Sequence, residues 1–190
     1  MTPRFSIVIA TYNRAAFLGE AIDSVLAQTL ADVEVVVVDD GSSDATPAVL
    51  ARYASDARVR CERLAENGGR AAARNRGVQL ARAERLGFLD ADDRYLPAAL
   101  AMHWQAHDAD PALGMSVGGF ETVGAGGDSR GDGGAWHAHG DLNRVSDWLF
   151  DCFGRTGSVL PSQTFEVSRI RSNILPFGPS TSESSITAPG

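Results

Sequence analysis

The run from Val33 to Val38, VEVVVV, constrains the fold more tightly than any other segment, because five of its six residues are valine. Strict alternation of apolar and polar residues would mark a strand with one wet face. A nearly continuous β-branched run instead marks a strand covered on both faces, as in a parallel sheet. The flanking sequence agrees. Phe5 to Ala10 (FSIVIA) is another β-rich run, and Ala15 to Gln28 places Phe17, Leu18, Ala21, Ile22, Val25 and Leu26 on one helical stripe. Thr46 to Ala54 reads as a second helix capped by Ser43 or Asp44, and Val59 to Leu64 as a weaker strand. After the break at Gly68-Gly69 come an alanine- and arginine-rich helix, Arg70 to Ala83, and a fourth strand, Arg85 to Leu89. Pro97 stands where a helix accepts a first-turn proline, with that helix running to about His107, and Met115 to Val123 reads as one more strand. The alternation predicts an α/β domain built on a mostly parallel sheet flanked by helices.

Further along, the pattern weakens. Gly124 to Gly140 is glycine-rich and reads as a mobile loop, Asn143 to Phe153 as a short amphipathic helix, and Ser162 to Ser168 as a strand. Pro176 to Gly190 is rich in Ser, Thr, Pro and Gly and is expected to be disordered.

At 190 residues the chain is long enough for one core that buries roughly 70% of its unfolded surface. A formal net charge of −7 argues against non-specific nucleic-acid binding, since a phosphate backbone favours a basic surface. Two cysteines, Cys61 and Cys152, are too few for a zinc cluster and need not pair. No apolar run reaches the ~18 residues of a membrane span, and Met1-Thr2-Pro3-Arg4 leads into a strand-like run without a signal-peptide core. The expected setting is cytoplasmic, compatible with peripheral attachment at the inner face of a membrane.

Acidic residues gather after two of the strands: Asp39 and Asp40 after one, Asp90, Asp92 and Asp93 after another. Ligands of open parallel sheets bind beyond the carboxyl ends of the strands, so both clusters are expected to face one crevice. Carboxylates brought together repel one another unless a cation joins them, and Mg²⁺ or Mn²⁺ with oxygen ligands and substrate phosphates suits that role. Asp-Asp-Gly and Asp-Asp also make ordinary turns, which is the competing reading of either cluster taken alone. Three other motifs are excluded. Thr11-Tyr12-Asn13-Arg14 stands where a dinucleotide fold needs its glycines, no P-loop occurs, and the EF-hand-like start at Asp90 has Tyr95 at the glycine position and Ala101 at the twelfth.

Four segments, SIVIATYNR (Ser6 to Arg14), VVVVDDGSSDAT (Val35 to Thr46), ENGGRAAARNRG (Glu66 to Gly77) and FLDADDRYLP (Phe88 to Pro97), together resemble the family 2 glycosyltransferases of GT-A fold. The resemblance covers about the first 110 residues, with weaker echoes to Phe177. It implies a nucleotide-sugar-binding GT-A domain over residues 1–123, a partial acceptor-side region over 124–175, and a tail over 176–190. It implies that Thr11 and Tyr12 pack on the nucleotide base, that Asp40 with Asp39 beside it accepts a hydrogen bond from the base, and that Asn67 and Gly69 let backbone approach the ligand. Arg74 matches a basic residue near the nucleotide and diphosphate; Arg70 is placed to help it, but reads better as a solvated helix face. Asp90-x-Asp92 matches the family's D-x-D motif, with Asp92 as the direct metal ligand and Asp90 contacting sugar, ribose or the metal's water shell. The implied cofactor is Mg²⁺ or Mn²⁺.

The implied activity is transfer, with inversion, of a hexose-like sugar from a UDP- or dTDP-sugar donor to a glycan, lipid or small-molecule hydroxyl. Such transfer needs a general base, usually the aspartate of a downstream Glu-Asp pair. Here the terminal stretch offers only Glu183, followed by Ser184, a weak candidate. A nucleotide-sugar-binding member impaired in transfer is therefore the alternative, and a nucleotidyltransferase ranks below both. His137 and His139 read as loop residues, His103 and His107 as surface or packing residues, and Trp104, Trp136 and Trp148 as packing by default.

Overall fold

Strand β1 (Phe5–Thr11) lies inside a mostly parallel sheet, with β2 (Val33–Asp39) on one side and β4 (Arg85–Phe88) on the other, both parallel to it. The computed structural model describes residues 2–111, 113–117, 120–123, 129–133, 137–139 and 163–166, with side chains up to Ser116. Within these residues β3 (Val59–Arg63) pairs parallel with β2, and β9 (Gln163–Glu166) pairs antiparallel with β4. β5 (Met115–Val117) and β8 (His137–His139) complete the sheet, in the order β3-β2-β1-β4-β9-β5-β8. A separate ribbon joins β6 (Phe120–Val123) to β7 (Ser129–Gly133). The helices are α1 (Ala15–Leu26), α2 (Thr46–Ala51), α3 (Arg70–Leu80) and α4 (Ala99–Ala109).

The valine run behaves as its composition requires: all seven residues of β2 are buried. Val33, Val35 and Val37 join Phe5, Ile7 and Ile9 in one core with Leu18, Ala21, Ile22 and Val25 of α1 and Leu100 of α4. Val36 and Val8 face the other way, into a second core with Val78, Ala81 and Leu86. Glu34, the one polar residue in the run, is 1% exposed. It is satisfied by the Ser6 hydroxyl at 2.5 Å and by the backbone N–H and Nε of Arg82, each at 2.7 Å. Gly77 lets α3 approach β1 so closely that a Cβ there would overlap Val8.

Several expectations need correction. Helix α2 ends at Ala51, and its N-cap is Ala45 rather than Ser43 or Asp44, although the Asp44 carboxylate still accepts the Thr46 N–H at 2.9 Å. Pro97 precedes the N-cap Ala98 of α4, two residues ahead of the first helical position, Ala99. Met115 to Val123 is two strands in different sheets, and the segment from Gly124 to Gly140 contains β7, paired with β6, and β8, paired with β5, because strand pairing overrides its glycine content. Of the two readings of His103 and His107, packing holds over surface: both are buried, with Ser116 Oγ 2.8 Å from His103 Nδ1 and 3.1 Å from His107 Nε2, tying α4 to β5. Trp104 packs edge-on against Phe5, with the guanidinium groups of Arg4 and Arg85 each 4.4 Å from its ring centroid. Trp136, Trp148, the predicted helix from Asn143 and the tail with Glu183 lie outside the described residues.

Candidate active site

From β1 the chain passes to β2 and β3 on one side, then returns to lay β4 on the other. The carboxyl ends of β1 and β4 thus flank the point where strand order reverses, the place where open α/β sheets bind ligands. A cleft of about 390 Å³ opens there. It is lined by Ala10, Thr11, Tyr12 and Arg14 after β1, by Asp40 after β2, by Asn67, Gly69, Arg70 and Ala73 around the start of α3, and by Asp90, Ala91 and Asp92 after β4.

Of the residues singled out from the sequence, Thr11, Tyr12, Asp40, Asn67, Gly69, Asp90 and Asp92 line this one cleft. Asp39 does not. Adjacent strand residues point to opposite faces, so Asp39 turns away from Asp40. Asp39 is fully buried, takes the Ser42 N–H on Oδ1 at 2.9 Å, and lies 3.6 Å from Arg63 Nε through Oδ2. Asp39 Oδ2 and Thr11 Oγ1 are buried with no hydrogen-bond partner among the described residues, and the two residues are register partners on β1 and β2. Arg74 also stands outside the lining. From α3 its Nη2 donates to Asp90 Oδ1 at 2.6 Å, with 9% of the Arg74 side chain exposed. Burial pulls the Arg74 guanidinium below its usual value, and the Asp90 charge opposes that shift.

Asp40 grips the loop ahead of α3: its Oδ1 accepts the Gly68 N–H at 2.8 Å and its Oδ2 the Gly69 N–H at 2.9 Å. Gly69 has φ +88°, a left-handed conformation that glycine adopts without strain. Tyr12, 46% exposed, offers a ring face at the cleft wall. The turn behind it is tied down by Asn13, which has φ +53°. Asn13 N–H donates to Ser42 Oγ at 2.9 Å, and its Oδ1 accepts the Ser43 N–H at 2.8 Å, so the loops after β1 and β2 are locked together.

Two charged cleft residues, Arg14 and Arg70, were not among the site residues expected from the sequence. Arg14, the last residue of the TYNR segment, places Nε 3.4 Å from Asp92 Oδ2. Arg70, read there as a solvated helix face, is exposed and also lines the cleft. Their signal was position, immediately beside residues already singled out.

The donor chemistry for a cation is hard oxygen. Burial, then the charges of Asp90 and Asp92, push the Asp93 carboxyl up to about 6. No group of three or more His, Cys, Asp or Glu side chains suited to a metal occurs among the described residues. One or two carboxylates completed by water and substrate phosphate is how Mg²⁺ and Mn²⁺ are commonly held, so the residues fit such an ion in the presence of a phosphorylated ligand.

An open, mostly parallel sheet with an acid-lined cleft at its switch point defines the class of α/β proteins whose ligands bind beyond the carboxyl ends of the strands. Residues 6–153 match the model of glycosyl transferase family 2, and the chain belongs to that family. It is 45% identical over 107 residues to the succinoglycan biosynthesis protein ExoO of Rhizobium meliloti, covering 56% of this chain and 30% of ExoO. S. aureus TarS 1-349 in complex with UDP superposes with a TM-score of 0.55 at 29% identity, covering 59% of this chain and 34% of TarS 1-349. The mannosyltransferase PcManGT of Pyrobaculum calidifontis, in complex with GDP-Man and Mn²⁺, gives 0.54 at 29% identity over 60% of this chain and 35% of that one. The fold is the GT-A arrangement that the motifs implied. The chain spans about three-tenths of the length of curated relatives such as ExoO.

Proposed function

We propose that the cleft binds a nucleotide-sugar, and that the protein carrying it transfers the sugar with inversion, assisted by Mg²⁺ or Mn²⁺, to a glycan, lipid or small-molecule hydroxyl. The observation that carries this reading is the convergence of Asp40, Asp90 and Asp92 with Tyr12 on one cleft at the sheet's switch point, in a family 2 chain. UDP- or dTDP-sugars are the donors of this reading; the UDP complex of TarS supports the first. The relationship to a succinoglycan biosynthesis protein supports an envelope polysaccharide pathway. No helix among the described residues is long and apolar enough to cross a membrane. A cytoplasmic setting, with peripheral attachment where a lipid acceptor is presented, completes the proposal.

In this reading Tyr12 stacks on the base through its exposed ring face. Asp40 spends one lone pair per oxygen on the Gly68 and Gly69 amides and keeps others for an N–H of the base. Arg74 fixes the Asp90 carboxylate against the wall, leaving Asp92 as the direct ligand of the cation. When bound, that cation supplies Lewis-acid neutralisation of the departing diphosphate, worth several kcal/mol of barrier.

Calorimetry with UDP and Mn²⁺ tests the reading. Metal-dependent UDP binding that Asp92→Ala abolishes is expected. No metal-dependent binding, or an unchanged affinity in Asp92→Ala, rejects the site. Binding without transfer to any member of an acceptor panel would identify the impaired alternative.

A further inference from the structure

We infer that Arg14 is an exchangeable cation of this cleft: it neutralises Asp92 while no donor is bound, and turns onto the donor diphosphate when a divalent cation takes Asp92. The inference rests on the nucleotide-sugar reading above and concerns how that site is charged and discharged.

The cleft's carboxylates are not held alike. Asp90 is gripped at 2.6 Å by a guanidinium whose side chain is 9% exposed. Asp40 has both oxygens on backbone amides. Asp92 is paired with Arg14 at 3.4 Å, and the two side chains are 50% and 51% exposed. A long, half-solvated pair contributes little and is easily replaced, whereas the Arg74 pair is shielded from water. Asp92 is therefore the carboxylate of this cleft whose counter-charge is easiest to change.

Arg14 is also built to move at its tip and nowhere else. Its N–H donates to Thr46 Oγ1 at 3.3 Å, and its carbonyl accepts the N–H groups of Phe17 and Leu18 at 3.1 and 3.0 Å. The preceding Asn13 is locked to Ser42 and Ser43. The backbone is thus fixed at the cleft wall, while the guanidinium makes one long contact with Asp92 and another of 3.4 Å, from Nη1 to the Asn13 carbonyl. A guanidinium fork matches a phosphate's oxygens better than it is used here, and Arg14 and Arg70 are the two arginines in the lining.

The exchange predicts effects of opposite sign. Mn²⁺ alone would be titrated into the full chain by water-proton relaxation, and UDP at saturating Mn²⁺ by calorimetry, for wild type, Arg14→Gln, Arg14→Met and Arg14→Lys. Both neutral variants are expected to bind Mn²⁺ alone roughly two- to five-fold more tightly, having lost a competitor for Asp92. They are expected to bind UDP in the presence of Mn²⁺ about five-fold or more weakly, having lost a phosphate partner. Arg14→Lys keeps the charge and is expected to stay near wild type for Mn²⁺. A purely structural role for Arg14 would weaken both titrations. Mn²⁺ affinity unchanged or reduced in the neutral variants, Mn²⁺ uptake by no form, or unchanged UDP affinity overturns the inference while leaving the donor site standing. Wild type that binds no UDP with Mn²⁺ removes the donor site, and the inference with it.

Discussion

Arg74 Nη2 lies 2.6 Å from Asp90 Oδ1, joining the middle of α3 to the segment that follows β4. Arg74 stands behind the cleft and sets the position of Asp90, one of the two acids of the D-x-D segment, without itself lining the site. Its shielding has an energetic consequence. Removing one member of a buried pair leaves an uncompensated charge, which costs far more than the pair itself contributes.

Arg74→Met is therefore expected to destabilise the fold by about 3 kcal/mol, less any relief from the 22% of the Asp90 side chain that reaches solvent. Asp90→Asn combined with Arg74→Met should recover part of the loss, because the stranded carboxylate is gone. Urea unfolding of the two single variants and the double variant measures the coupling. Strict additivity would mean that the pair is not coupled as its geometry requires.

Asp40→Asn separates holding the loop from binding a ligand. The amide can accept only one of the two glycine N–H groups, and its NH₂ faces the other donor. A loss of about 2 kcal/mol is expected, concentrated in the loop ahead of α3. Hydrogen exchange should show faster exchange at the Gly68 and Gly69 amides, with β1 and β2 unchanged. Uniform protection would contradict the anchoring role.

How much of this was legible in the sequence depends on whether the signal was local. The Val33 to Val38 run named a doubly covered strand, and β2 is buried at every position. The acids at the ends of β2 and β4 named a shared crevice, and Asp40, Asp90 and Asp92 line one. Asp39 continues the parity of Val33, Val35 and Val37, so it turns to the other face from Asp40 and stands outside the cleft lining. Other features were not visible locally. β7 and β8 arise in a glycine-rich stretch because β7 pairs back on the neighbouring β6 and β8 on the more distant β5. His103 and His107 share a helix face, but that this face is buried depends on Ser116 of a later strand. Arg14 acquires a role only when the turn after β1 meets the segment after β4.

Gly77 tests whether the approach of α3 to the sheet is as tight as the geometry makes it. An added methyl would overlap Val8, a central residue of β1 that is itself fully enclosed. Alanine has the better helix propensity, by roughly 1 kcal/mol, so an open site would be stabilised. Here overpacking should win, and Gly77→Ala is expected to destabilise by about 2 kcal/mol. The double variant Gly77→Ala with Val8→Ala should recover stability relative to the sum of the two single changes. A Gly77→Ala protein as stable as wild type would show that α3 stands further from β1.

Acidification should weaken the packing of α4 on β5. Burial, with the neighbouring His107 adding to it, pushes His103 down to about 3 from an ordinary 6.5. The unfolded chain therefore takes up a proton near pH 6.5 that the folded chain refuses until about pH 3, and the side with more bound protons gains as pH falls. The contribution of His103 to stability is thus complete above about pH 6.5 and declines as the pH falls toward 3, by about 1.5 kcal/mol between pH 6.5 and 5. Carboxylates dominate further down, so the upper part of the window is the informative one. Urea midpoints at pH 7.5, 6 and 5 should fall progressively in wild type, and His103→Gln, with no proton to gain, should show a shallower fall from a lower starting stability. Parallel slopes for the two proteins would place the acid sensitivity elsewhere, because a neutral amide at position 103 cannot reproduce a titration that belongs to the imidazole.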